Sequence, residues 1–155
     1  MAQPKLERRE VLKVLCASTG ALCGGMLACG GADPFMTKEV FVKLPAVIAG
    51  SLTLALADFP QLKQVGGALV GSAAGMSEPI AVTRQDETSF AAMPALCTHL
   101  SCPLRYNQLT ATLDCGCHGS TFELDGSVIN GPATKPLRTL KTEFSGGDTV
   151  RIVVG

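Results

Sequence analysis

From residue 51 onward the chain alternates apolar and polar positions in short runs. Leu52, Leu54 and Leu56 are separated by Thr53 and Ala55, the period-two pattern of a strand with one buried face. Asp58-Phe59-Pro60 ends that run, and residues 61–67 read as a turn into a strand at 68–70. Residues 79–84 predict a strand, 85–88 a polar hairpin turn and 89–96 the return strand. Residues 104–106 and 112–114 form a further hairpin, and 121–124 and 127–129 flank Asp125-Gly126, a strong hairpin signal. Residues 137–144 and 150–154 close the chain as a hairpin around Gly146-Gly147-Asp148. Upstream, residues 38–43 are a short strand candidate between Pro34 and Pro45. Strands about every ten residues, with turn signals between them, predict an all-β fold. No internal repeat or low-complexity tract is present.

The first 32 residues follow a different pattern. Arg8-Arg9 precede Glu10-Val11-Leu12-Lys13, and an uncharged, glycine-rich run covers residues 14–31. As a helix these 18 residues would span ~27 Å, just short of a ~30 Å hydrocarbon core. Cleaved signal, retained anchor and lipid anchor all remain open. The arginine pair resembles the twin-arginine export motif, S/T-R-R-x-F-L-K, with Glu7 and Val11 as departures. Met26-Leu27-Ala28-Cys29 resembles a lipobox and makes Cys29 a candidate lipidation site, whereas Cys16 and Cys23 read as small apolar fillers. The expected organisation is therefore residues 1–32 as signal peptide or membrane anchor and 33–155 as one domain.

Composition narrows the class without naming it. At 155 residues, 46% hydrophobic, with 17 Gly and 9 Pro, the chain suits one ordinary domain rich in turns. Net charge is zero, divided as +2 over residues 1–32 (Lys5, Arg8, Arg9 and Lys13 against Glu7 and Glu10) and −2 over the rest. There is no basic patch and no Trp, so a nucleic-acid partner is not expected.

The chemistry lies between Cys97 and Ser120. This stretch holds both histidines and four of the seven cysteines. Cys97 and His99 are one residue apart, and Cys115 and His118 two, so each tight turn offers one thiolate and one imidazole. Thiolates suit zinc and iron–sulfur clusters; imidazole suits iron and zinc. Structural zinc sites usually draw on one arm of cysteines and one of histidines, whereas here each arm is mixed. Two Cys and two His can instead hold a [2Fe–2S] cluster asymmetrically, Cys97 and Cys115 on one iron and His99 and His118 on the other. Imidazole ligation of this kind raises the potential to roughly −150 to +300 mV. A structural Cys2His2 zinc module is the alternative.

The two boxes, C-T-H-L-S-C and C-G-C-H-G-S, resemble those of Rieske iron–sulfur proteins, C-T-H-L-G-C and C-P-C-H-G-S, as in cytochrome bc complexes. The likeness continues through Phe122, Gly126 and Gly131-Pro132-Ala133, and covers about residues 50–155 in layout. Ser101 in place of Gly and Gly116 in place of Pro are the departures within the boxes. The resemblance implies an antiparallel β-sandwich or barrel with a cluster-binding subdomain of two loops. It implies a disulfide between Cys102 and Cys117 tying those loops, and hence an oxidising compartment. It assigns the Ser120 hydroxyl to a bridging sulfide and makes Leu100 and Pro132 cover for the cluster. High-potential members carry Tyr where this chain has Phe122, so a potential below the respiratory bc type is expected.

The function so implied is one-electron transfer from a quinol or redox-enzyme donor to a cytochrome c-like acceptor, with no substrate bond made or broken by this chain. A quinol–cytochrome c reductase-like chain is the first context. A small subunit of a periplasmic molybdenum oxidoreductase, as in arsenite oxidase, is the second. A dioxygenase-type ferredoxin is the third, although such ferredoxins normally lack the extra Cys pair and an export signal. A cluster assembled in the cytoplasm must cross the membrane inside a folded protein, which fits the twin-arginine route. The expected location is the periplasm or the periplasmic face of the cytoplasmic membrane, with attachment through the N-terminal segment or a lipid.

Overall fold

The computed structural model describes residues 41–155; the leader with Arg8-Arg9 and Cys29, and the start of the first strand candidate, lie outside the described residues. Among the described residues eleven strands form three sheets, and one 3-10 turn joins two of the strands. The middle sheet has the order β1-β3-β4-β5, with β1 Phe41–Leu44, β3 Ala68–Ala73, β4 Ile80–Arg84 and β5 Phe90–Pro94. A second has the order β10-β11-β2, with β2 Ser51–Ala55, β10 Lys141–Glu143 and β11 Thr149–Val153. The third has the order β6-β7-β8-β9, with β6 Leu104–Asn107, β7 Thr112–Cys115, β8 Thr121–Phe122 and β9 Val128–Asn130.

Alternation explains the layering. Successive side chains of a strand point to opposite faces. On β4 and β5, Ile80, Val82, Phe90 and Ala92 join one buried cluster with Leu52, Leu54, Val150 and Ile152 of the second sheet. Their neighbours Ala81 and Met93 join a different cluster, with Leu104, Leu113 and Phe122 of the third sheet. The middle sheet is thus covered on both faces, which is why β4 has no polar face to show solvent. Its second face carries many small side chains and leaves room for the third sheet to sit close. Thr83, fully buried in β4, uses that proximity and donates its hydroxyl to the Leu124 carbonyl at 2.7 Å.

The expected strands are present, with shifts that have local causes. Residues 61–67 are not all turn: Pro60–Lys63 is a 3-10 turn with Pro in its first positions. Of 137–144 only Lys141–Glu143 is strand, because the Leu137 N–H is taken by the Gly126 carbonyl and Leu140 makes only an isolated bridge to Ala92. Most pairs are antiparallel, but β1 and β3 run parallel, Phe41 opposite Val70. Between them β2 lies in another sheet, so the chain returns in its original direction. Gly71 makes that pairing possible, since a Cβ there would collide with the Val42 carbonyl oxygen. Among the described residues no helix is long and apolar enough to cross a membrane.

Candidate metal centre

Strand periodicity delivers the two buried thiols. Met93, Ala95 and Cys97 share one parity leaving β5, and all three belong to the cluster under the third sheet. On β7, Leu113 and Cys115 are buried while Thr112 and Asp114 are partly exposed. Leu104 stands opposite Cys115, and Leu113 opposite Phe122, so the third sheet carries its own apolar floor up to the second cysteine.

Each cysteine then opens a loop of the same construction. The Cys97 N–H donates to the Cys102 carbonyl at 2.8 Å, and the Ser101 N–H returns to the Cys97 carbonyl at 2.8 Å. In the second loop the Cys115 N–H donates to the Ser120 carbonyl at 2.8 Å, and the Gly119 N–H to the Cys115 carbonyl at 3.0 Å. The residue closing each loop is left-handed, Ser101 at φ 54° and Gly119 at φ 77°. Glycine tolerates that region freely; serine occupies it against its Cβ. The disulfide Cys102–Cys117, with Cα atoms 6.4 Å apart, joins the two loops.

The residues singled out from the sequence divide by depth. Cys97 and Cys115 are free and buried. His99 and His118 are exposed, and their rings meet edge to face with centroids 4.9 Å apart. The centre therefore has a sulfur side facing the protein and a nitrogen side facing solvent. Burial pushes the Cys97 thiol up, but hydrogen bonds from the His99 N–H, the Cys115 thiol, the Ser120 hydroxyl and the Leu100 N–H outweigh it. The net result lies below the ordinary cysteine value. Such surroundings favour an anionic sulfur, which is the ligand form.

Ser120 is fully buried and its oxygen accepts the Ala133 N–H at 3.0 Å, leaving its hydroxyl hydrogen for the sulfur side. Phe122 is fully buried beneath it and brings no hydroxyl. Leu100 is 63% exposed between the two loop ends, and Pro132 is exposed on the neighbouring loop.

Sequence reasoning missed how that third loop, residues 131–136, is fastened. Beyond the Ser120 bond, the Thr98 hydroxyl donates to the Lys135 carbonyl at 2.6 Å. Asn130 donates from its amide to the Gly119 carbonyl at 3.2 Å. A hydroxyl between Cys97 and His99 was the available signal, but its partner lies 37 residues away. Sequence spacing also gave no hint that the Sγ atoms of Cys102, Cys115 and Cys117 all lie within 4.8 Å of one another.

An all-β scaffold with paired thiols inside, paired imidazoles outside and a disulfide across the loops defines an iron–sulfur protein. The donor set fits a [2Fe–2S] cluster better than zinc, because two like ligands fall on each side. The family description "Rieske [2Fe-2S] domain" matches residues 56–141. The chain belongs to the Rieske [2Fe–2S] family, whose domain binds that cluster.

Its relatives include cytochrome b6-f complex iron-sulfur subunit 3 of Nostoc, 30% identical over 152 residues, covering 89% of this chain and 80% of the relative. Iron-sulfur subunit 1 of the same complex in Synechocystis is 29% identical, covering 91% of this chain and 82% of the relative. Among solved structures, the plasma membrane Rieske protein of Synechocystis superposes with a TM-score of 0.51 at 27% identity. That match covers 63% of this chain and 93% of the other.

Proposed function

We propose that this chain carries single electrons between a quinol-oxidising donor site and a cytochrome c-like acceptor, as a component of a cytochrome b6-f or bc type chain. Cys97 and Cys115 would hold one iron of the cluster, and His99 and His118 the other. When bound, the cluster supplies reversible one-electron chemistry. The observation that carries this reading is the split between two buried thiols and two exposed imidazoles on equivalent loops.

The protein's own residues would do the rest. Hydrogen bonds at Cys97 favour the anionic form of its sulfur. The exposed His99 and His118 place the nitrogen side where a donor or acceptor can reach it. Leu100 and the 131–136 loop flank that face and exclude part of the water around it. The b6-f relatives support the membrane context. Residues 1–32 would export the folded protein by the twin-arginine route to the periplasmic face, the membrane being held through that segment or a lipid on Cys29.

Iron and acid-labile sulfide analysis of the purified chain tests the core of this reading. Two of each per chain are expected, and a colourless zinc protein would sink it. His118→Ala should abolish the Rieske spectrum. Redox titration then tests Phe122: a midpoint above about +250 mV, near the top of the Rieske range, would defeat the argument from its missing hydroxyl. Phe122→Tyr should raise the potential. A differential hydrogen bond of about 1.4 kcal/mol corresponds to ~59 mV. Export is tested with Arg8→Lys and Arg9→Lys together, which should leave the protein in the cytoplasm.

A further inference from the structure

Three sulfurs crowd the inner side of the second loop. The Sγ atoms of Cys102, Cys115 and Cys117 are mutually within 4.8 Å, yet only Cys102 and Cys117 are bonded to each other. Cys115 is a free, buried thiol. A disulfide exchanges with a thiolate that reaches one of its sulfurs, the other sulfur departing with the electron pair. The Cys115 sulfur lies within 4.8 Å of both disulfide sulfurs, and it is held near them by strand pairing between Leu104 and Cys115.

We propose that Cys115 is a built-in nucleophile for its neighbouring disulfide, and that loss of the metal releases it to exchange. Cys115, left as a thiolate when the metal departs, attacks the Cys102 sulfur. A Cys102–Cys115 bond forms, the Cys102–Cys117 bond breaks, and Cys117 leaves as the thiolate. One disulfide and one thiolate stand on each side, so no outside oxidant or reductant is needed. Direction follows from exposure. Cys117 is exposed and Cys102 only partly so, so attack at Cys102 releases Cys117 to solvent.

The consequence rests on the reading of Cys115 as a cluster ligand. While its sulfur holds iron it cannot attack. Once it has exchanged, it no longer offers a thiolate, and the site stays closed to iron until the Cys117 thiolate exchanges back or a reductant opens the bond. The disulfide that braces the loaded centre would thus lock the emptied one.

The test starts from the full-length protein isolated with its cluster. Iron is stripped with a chelator without oxygen, the protein is held, quenched in acid, and labelled with N-ethylmaleimide in denaturant. Trypsin places Cys97 and Cys102 in the peptide 85–105 and Cys115 and Cys117 in the peptide 106–138. Both linkages join these peptides, so tandem fragmentation locates the bond, and the maleimide marks the free thiol. On stripping, the label is expected on Cys97 and Cys117 in most molecules, with Cys102 bonded to Cys115. An intact Cys102–Cys117 bond with Cys115 labelled, over hours, would overturn the proposal. Disulfide reshuffling is complete on a scale of seconds to hours.

In Cys115→Ser the native bond should persist for the same time. Movement of that bond in the variant would place the nucleophile elsewhere and also overturn the assignment. The ligand reading fails separately, if Cys115→Ser is isolated with a full complement of iron and sulfide.

Discussion

The two faces of the middle sheet are held by different physics. On one face, Leu52, Leu54, Leu62, Val82, Val150 and Ile152 lead a wholly apolar core of mostly branched aliphatic side chains, with Phe59 and Phe90. On the other, the core mixes Met93, Leu113 and Phe122 with two free cysteines and several alanines. Above that second core the chain relies on cross-links: one disulfide, a buried serine and hydroxyl-to-carbonyl bonds between loops. The first face is a scaffold that any apolar sequence of suitable volume could build. The second must keep reactive sulfur and polar atoms inside, and apolar burial alone cannot do that.

Breaking the scaffold should give the largest effect. Leu54 is fully buried in β2, and Leu54→Ala should cost about 2–5 kcal/mol through lost transfer and a residual cavity. Chemical unfolding measures this, while iron per folded molecule should stay constant. Loss of iron in proportion to stability would show that the two faces are one cooperative unit.

Breaking the cross-link should act on the other face. The disulfide closes a loop with a sequence separation of 15, for which the chain-entropy account gives ~3 kcal/mol. Cys102→Ser with Cys117→Ser should therefore loosen the loops by about that amount. Hydrogen exchange is the measurement. Amides of residues 97–119 should exchange far faster, those of β2 and β11 hardly at all. Equal acceleration in both places would mean that the disulfide braces both faces alike.

The same division marks what could be read from the sequence. Leu52, Leu54 and Leu56 announced the scaffold by simple alternation, and the Cys-His boxes announced the centre through ligand chemistry and spacing. Resemblance supplied the Cys102–Cys117 pairing; the boxes alone did not. What stayed hidden depends on contacts between distant residues. Thr83 looks like any strand threonine until its hydroxyl meets Leu124, 41 residues on. The parallel return of β1 beside β3 depends on β2 lying in another sheet, which no local pattern records. Ser101 appeared only as a departure from the family box; its positive φ explains why glycine is the usual occupant.

That residue allows a finer comparison, between the two loops themselves. Ser101 and Gly119 hold equivalent closing positions, both left-handed. A non-glycine residue there costs roughly 1–2 kcal/mol, and a new glycine returns about 0.4–1 kcal/mol of that through the unfolded chain. Ser101→Gly should then stabilise the first loop by roughly 0.5–1 kcal/mol, seen as slower iron loss to a chelator. Gly119→Ser should do the reverse. If both substitutions weaken iron retention, the Ser101 side chain has a role of its own and the loops are not equivalent.

The smallest effect concerns the two carboxylate-capped turns, one on each side of the division. Asp86, at the β4–β5 turn, accepts bonds from the Ser89 hydroxyl and from the Thr88 N–H and hydroxyl. Led by the Ser89 bond, these lower it from 3.8 to about 2. Asp125, at the β8–β9 turn, is likewise held below its usual value, chiefly by the Ser127 hydroxyl and N–H. A carboxylate depressed in the folded state contributes stability that is present above its unfolded pKa and lost as pH falls through the folded one. The Asp86 turn should therefore weaken between about pH 4 and pH 2, and the Asp125 turn as pH falls below the ordinary carboxylate range. Both carboxylates are exposed to solvent screening, so each share is slight. Asp125 sits beside the Leu124 carbonyl that anchors Thr83 and Gln85, so weakening its turn also loosens the tie between middle and third sheets. Asp86 is the more strongly depressed of the two, so thermal unfolding followed from pH 5 to 2 should show a smaller acid loss in Asp86→Asn than in Asp125→Asn. The reverse order would mean that the Asp125 turn, through the Leu124 carbonyl, carries more of the tie between the middle and third sheets than its own titration supplies.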